Sequence, residues 1–166
     1  MSETAYIALG SNVGDRAAHV DAALRGLAAT PGVRLSACSS LYETSAVGPE
    51  QPDYLNAVLV AQVEVEPAAL LGRLRELERF SGRVRRERWG PRTLDLDLLL
   101  YGERVVDEPG LTVPHPELHR RRFVLEPLVE VAPWAVHPLL AHTMDELLRH
   151  LPPGGVLRCA PPPSLP

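Results

Sequence analysis

Asp95 and Asp97 are the residues of this chain whose type and spacing point most directly to chemistry. They close the run Arg88-Trp89-Gly90-Pro91-Arg92-Thr93-Leu94-Asp95-Leu96-Asp97. If 94–100 is a β-strand, side chains alternate between its faces. The two carboxylates then share one face, and Leu94, Leu96, Leu98 and Leu100 share the other. Two strand positions advance the chain by about 6.6 Å, and two-metal phosphoryl-transfer sites hold their ions about 3.5–4 Å apart. Both carboxylates can therefore converge on cations lying between them. Mg²⁺ takes one or two protein carboxylates and completes its octahedron with water and phosphate oxygens, so the pair is enough. The competing account is an ordinary solvent-facing strand edge. Aspartate is a poor strand former, however, and two on one face beside a run of arginines favour a platform for Mg²⁺.

The arginines supply the matching anion chemistry. All 17 basic residues are arginine. That abundance has the plain explanation of codon bias in an Ala- and Pro-rich chain, but the clustering does not. Eight lie between Arg73 and Arg92, and Arg120, Arg121 and Arg122 are consecutive. The guanidinium fork matches phosphate oxygens bidentately. Five arginines within 83–92 repel one another in an empty loop. A bound polyphosphate would neutralise them and order the segment as a closing lid. Single-stranded nucleic acid would call for several stacking rings, and Trp89 is the one ring in this loop.

Other constellations are weaker. Gly10-Ser11-Asn12-Val13-Gly14 lies between a predicted strand and a predicted helix, where an anion could sit. It lacks the features of a P-loop or a dinucleotide fingerprint, and a tight turn explains it better. Tyr54 and Asn56 fall on one face of a predicted strand, as a ring and an amide facing a flat heterocycle would; an ordinary packing edge fits equally well. His115, between two prolines, suits a phosphate contact or a structural role. The other histidines show no zinc-ligand spacing.

These residues need a scaffold. At 166 residues the chain suits one domain, expected over 1–151, followed by a Pro-rich, disordered tail at 152–166. Apolar runs are too short to span a bilayer, and no leader pattern precedes the first strand. Two distant cysteines suit a reduced cytoplasmic setting, and a net charge of −4 argues against bulk attraction to nucleic acid or membrane. Periodicity predicts strands over 4–9, 33–44, 54–65, 94–101 and 104–106, and helices over 15–29 and 67–81. Short helical pieces follow at 117–121, 124–131 and 144–151, the last with Thr143 as N-cap and Glu146 completing a capping box. The order predicts an α+β domain, a ferredoxin-like βαββαβ core with helices on an antiparallel sheet and extra C-terminal helices.

Gly10-Ser11-Asn12, Gln51-Pro52-Asp53-Tyr54-Leu55-Asn56, Gly82-Arg83-Val84-Arg85, the run from Glu87 to Asp97, and Leu111-Thr112-Val113-Pro114-His115 occur in this order. Together they closely resemble the 6-hydroxymethyl-7,8-dihydropterin pyrophosphokinases of folate biosynthesis, over about 4–150. The resemblance implies transfer of pyrophosphate from ATP to the hydroxymethyl group of the pterin, releasing AMP. It implies that Asp95 and Asp97 hold two Mg²⁺ ions, and that Arg83 and Arg92 are catalytic phosphate contacts. Glu78, Arg85, Arg88, Trp89, Leu98, Thr112, His115 and Arg121 would serve ATP. Thr44, Tyr54, Asn56 and Phe123 would hold the pterin, with Tyr54 and Phe123 on its two faces. Gly110 stands where some relatives carry an ATP-contacting arginine, so that phosphate contact is either absent here or supplied by Arg122. The expected partners are these two small molecules, with no nucleic acid or membrane, and the expected state is a monomer. The rivals are another two-metal nucleotidyl or phosphoryl transferase, and a non-catalytic RNA- or polyanion-binding module on the same fold.

Overall fold

The computed structural model describes residues 2–12, 14–45, 53–81 and 94–166. Strand β1 (Glu3–Ser11) leads to α1 (Arg16–Ala28), β2 (Val33–Cys38), β3 (Leu41–Thr44), β4 (Tyr54–Val63), α2 (Pro67–Phe80) and β5 (Asp95–Tyr101). Next come β6 (Val106–Glu108), β7 (Leu111–Val113), a 3₁₀ turn (Leu118–Arg120), α3 (Arg122–Val131), α4 (Met144–Arg149) and β8 (Val156–Ala160). The main sheet runs β5-β1-β4-β3-β8, with β2 pairing β4 alongside β3, and every pairing is antiparallel. This is the expected α+β architecture with its βαββαβ core.

The alternation of β1 explains the layering. Ala5, Ile7 and Leu9 pack with Leu24 and Leu27 of α1 and Leu70 and Leu74 of α2. Tyr6 and Ala8 join the opposite layer, where Val58, Leu99 and Leu100 meet Leu125 and Leu128 of α3 and Met144 of α4. Both sheet faces are thus covered by helices. The expected capping box is present: Thr143 Oγ1 accepts from Glu146 N–H, and the Glu146 carboxylate accepts from Thr143 N–H.

Several local expectations are corrected. Gly10 and Ser11 belong to β1, opposite Asn56 and Leu55, rather than to a loop. The stretch 33–44 is two strands, because register against β4 shifts at Ser36 and again across Ser39-Ser40. Leu100 does not share the face of Leu94, Leu96 and Leu98. Register against β1 slips between Tyr6 and Ile7, leaving Leu99 as an extra residue, so Leu100 turns to the α3 side. The expected strand at 104–106 is instead a hairpin of β6 and β7. Gly110 occupies its turn with φ of 80°, the geometry a Pro-Gly type II turn requires. The tail is ordered where disorder was expected. β8 pairs with β3, and Leu165 packs on the α1/α2 core. Residues 156–160 carry no proline, and the open edge of β3 offers their backbone hydrogen-bond partners.

Candidate active site

Asp95 and Asp97 both lie on the α3 side of the sheet, as alternation requires. Gly10 of β1 stands directly between Asp95 and Asn56, being the register partner of both. Ala8 is likewise opposite Asp97 and Val58. Small residues in the middle strand leave a hollow between the carboxylates of β5 and the polar groups of β4 and β3. The resulting cavity of about 550 Å³ is within the usual range for small-molecule sites. Its walls include Asp95, Asp97, Thr44, Tyr54, Asn56, Arg121 and Phe123.

The end of the cavity at Thr44 and Asn56 is organised by hydrogen bonding. Asn56 Nδ2 donates to Thr44 Oγ1 at 2.8 Å, and both residues are buried. A primary amide has two N–H groups and one carbonyl oxygen. With one N–H held by Thr44, the amide has a fixed orientation and an acceptor left to offer. Its Oδ1 sits on the Gly10 side, 3.4 Å from where a Cβ on Gly10 would stand. Phe123, in the first turn of α3, lies under the Arg121 guanidinium at 5.7 Å from its ring centroid. Outside the cavity, Arg16 donates to Glu43 Oε1 at 2.7 Å and to the Asp53 carbonyl at 2.9 Å. The end of β3 and the residue leading into β4 are thus tied to the start of α1.

The carboxylate end is braced from behind. Glu78 of α2 is 2% exposed, and its Oε2 accepts from Leu96 N–H at 2.9 Å. Arg75 donates to Glu78 Oε1 and to the Leu96 carbonyl, both at 2.8 Å. The residue between the two aspartates is therefore clamped on the outer edge of β5, and Glu78 is not among the cavity walls. Leu98 turns its side chain into the α1/α2 core, while its amide and carbonyl share the outward edge that Leu96 presents to the clamp. Thr112 is exposed on β7, opposite Asp107.

His115 follows the cis Val113–Pro114 bond, and its amide donates to the Leu99 carbonyl at 2.9 Å. Its Nδ1 accepts from Glu117 N–H at 3.1 Å. Burial pushes the imidazole below its usual range, outweighing the opposing pull of Asp97. A neutral ring with Nδ1 so engaged carries its proton on Nε2 and is a hydrogen-bond donor. Arg83, Arg85, Arg88, Trp89 and Arg92 lie outside the described residues.

The sequence reading missed Gly10 as the cavity floor, since it was taken into a loop. It also missed Asp15. That carboxylate caps α1 by accepting from Ala18 N–H at 3.0 Å, filling the helix end where an anion was weighed. The Cys38 thiol is pushed up to about 12 by burial and the nearby Glu130, so it is no nucleophile. Among the described residues, no group of three or more His, Cys, Asp or Glu side chains could hold a metal ion by itself. Two hard carboxylate oxygens groups on one cavity wall fit a cation such as Mg²⁺, which draws its remaining ligands from water and phosphate.

An antiparallel α+β sheet whose cavity is lined by paired carboxylates, rings and an amide has the donor set of a site for a cation-bound phosphate ligand beside a flat ring. Comparison with known proteins narrows that class. The family model for 7,8-dihydro-6-hydroxymethylpterin-pyrophosphokinase matches residues 6–133, and the chain belongs to this family. A 2-amino-4-hydroxy-6-hydroxymethyldihydropteridine pyrophosphokinase from Synechocystis is 41% identical over 157 residues, covering 95% of this chain and 80% of its own. Enzymes of the same name from Haemophilus influenzae and Pseudomonas aeruginosa are 46% and 43% identical. They cover 81% and 95% of this chain, and 85% and 98% of their own lengths. Among solved structures, wild-type Plasmodium falciparum HPPK-DHPS aligns with a TM-score of 0.71 at 14% identity. It covers 90% of this chain but 44% of its own, so this chain spans under half of that longer protein. That likeness speaks to the fold. No helix among the described residues is long and apolar enough to cross a membrane.

Proposed function

We propose that this chain transfers pyrophosphate from ATP to the hydroxymethyl group of 6-hydroxymethyl-7,8-dihydropterin, yielding the pterin diphosphate and AMP, with Mg²⁺ held by Asp95 and Asp97. Membership of the family supports the activity. The observation that carries the residue assignment is the shared cavity, in which seven expected residues converge from four separate parts of the chain.

Each residue then has a physical task. Tyr54 and Phe123 offer ring faces to a flat bicycle, which excludes water and fixes its plane. Asn56, oriented by Thr44, reads the hydrogen-bonding edge of that bicycle. With its plane and edge fixed, the heterocycle points its hydroxymethyl arm toward the carboxylates. Asp95 and Asp97 would hold two Mg²⁺ ions, whose charge would neutralise that of the triphosphate. His115 donates from Nε2 to a phosphate oxygen, and Arg121 adds a fixed positive charge beside the rings. By the family resemblance Arg83 and Arg92 would contact the phosphates, and Arg85, Arg88 and Trp89 would serve ATP; all five lie outside the described residues. Glu78 acts on ATP through Leu96, by setting the strand that carries both aspartates. Leu98 offers its outward backbone groups, and Thr112 its side chain, to the nucleoside.

The hydroxyl attacks the β-phosphorus in line, and the bond between the α- and β-phosphates breaks to release AMP. Rate enhancement comes from positioning and charge neutralisation. A primary alcohol loses its proton late, so no dedicated base is required; Asp97 is the candidate acceptor. Both cysteines are free, in keeping with a cytoplasmic enzyme.

The test supplies ATP, Mg²⁺ and the reduced pterin alcohol, and looks for AMP and diphosphorylated pterin in equal amounts. AMP without the pterin product would mark a different transferase. Salt-sensitive RNA binding that survives Asp97→Ala would mark a binding module.

A further inference from the structure

Glu130, near the C-terminal end of α3, is not among the cavity walls yet gathers an unusual set of donors. Ser40 N–H donates to both carboxylate oxygens at 3.1 Å, and Ser40 Oγ donates to one at 2.8 Å. Tyr42 Oη donates at 2.6 Å, and the Arg158 guanidinium of β8 stands 3.4 Å away. The carboxylate side chain is 21% exposed. Burial alone would push it up, but the hydrogen bonds from Tyr42 and Ser40 outweigh that and hold it below the usual carboxylate range.

These donors sit where β2 passes into β3. Cys38 pairs with Leu59, but Tyr42 pairs with Asn56, so one extra residue is accommodated across Ser39-Ser40. Ser39 stays on the ladder, donating its N–H to the Val58 carbonyl and accepting Val58 N–H on its hydroxyl. The amide of Ser40, a residue only 2% exposed, turns instead to Glu130. A one-residue slip of a strand turns every side chain to the opposite face. Only the observed register puts Tyr42 and Thr44 on the cavity side, with Thr44 opposite Tyr54 and its hydroxyl against the Asn56 amide. The alternative register would bring Glu43 there and take it from Arg16.

We propose that Glu130 is a positioning residue that pins the register of β3, and that through Thr44 it fixes the Asn56 amide that reads the heterocycle. Glu130 satisfies the amide that the bulge removes from the ladder and grips the next cavity-side residue, Tyr42. The same carboxylate joins α3, whose first turn carries Phe123, to β3, whose end carries Thr44. Opposite walls of the cavity are thus set by one ionised group. This inference rests on the reading of the cavity as the pterin site.

The test is steady-state kinetics of the full chain with each substrate varied in turn. Glu130→Ala is expected to raise KM for the pterin by about tenfold or more, with KM for ATP moving less than about twofold. Glu130→Gln, which keeps an acceptor for Ser40 N–H, should recover most of the loss. Leu147→Ala, a core truncation in α4 away from the cavity, serves as a stability control: at a matched fall in melting temperature it should leave both KM values in place. A pterin KM within about twofold of the parent, a parallel rise in both KM values, or the same rise in the control would each overturn the inference. If Glu130→Ala does not fold, Tyr42→Phe removes one donor and keeps the ring. It should still raise the pterin KM selectively, by about threefold, and no selective change would overturn the inference. A parent enzyme that forms no pterin diphosphate would sink the substrate assignment instead, leaving the two failures distinguishable.

Discussion

Gly10→Ala separates stability from function at one atom. Gly10 is not one of the glycines with positive φ, so alanine fits its backbone. A Cβ there would meet Asn56 Oδ1 at 3.4 Å, Tyr54 Cδ1 at 3.7 Å and Asp95 Cβ at 4.0 Å, all near ordinary van der Waals contact. The folded protein therefore takes the methyl with little strain, and the unfolded chain loses freedom. Stability should hold or rise by about 0.4–1 kcal/mol. The same methyl stands on the cavity floor between the carboxylate and the amide. Overpacking a fitted site costs about 1–3 kcal/mol, which corresponds to a rise in pterin KM of roughly 5-fold to 160-fold. Urea melts measure the first quantity, and initial rates at saturating ATP measure the second. An unfolding free energy lower by more than about 1 kcal/mol would refute the packing argument. An unchanged KM at parent stability would refute the assignment of the floor.

Other changes test other parts of the site. Asp97→Ala should cut turnover by well over tenfold, about 1.4 kcal/mol, while the melting temperature of the ligand-free protein stays near the parent; a smaller loss would contradict the platform. Glu78→Ala strips the partner from Leu96 N–H and Arg75 and should cost about 2–4 kcal/mol in urea unfolding, whereas Glu78→Gln should cost about 1 kcal/mol. Equal costs would argue against the clamp. His137 is 4% exposed, its Nδ1 accepts from the Leu139 and Leu140 amides, and burial, then the neighbouring His119, hold it below the usual imidazole range. Protonation therefore favours the unfolded chain: the stabilisation is complete above about pH 6.5 and is lost as pH falls through the lower folded value. Melting temperature should drop on acidification less steeply in His137→Gln than in the parent, and matching slopes would exclude His137 as the cause.

Much of this was legible in the chain itself, because it depends on local periodicity. The period of two put Asp95 and Asp97 on one face whatever their partners. The apolar stripes of α1 and α2 and the capping box before α4 are likewise properties of a few neighbouring residues. The tail could not be read in the same way. Its prolines argue for disorder, and the edge of β3 that orders it lies more than a hundred residues away in sequence.

The sequence alone determined which groups are available for chemistry: acidic pairs, clustered guanidiniums, rings and amides keep their reactivity in any fold. Tertiary structure decided which of them meet. The slip at Leu99, the bulge at Ser39-Ser40 and the place of Gly10 between Asp95 and Asn56 are all matters of register. Register is set by how distant strands share hydrogen bonds and cover a core, and one residue's shift reverses every side chain beyond it. Glu130 makes the point most clearly, since nothing around it in the chain marks it. Its importance arises from meeting Ser40, Tyr42 and Arg158 across the fold.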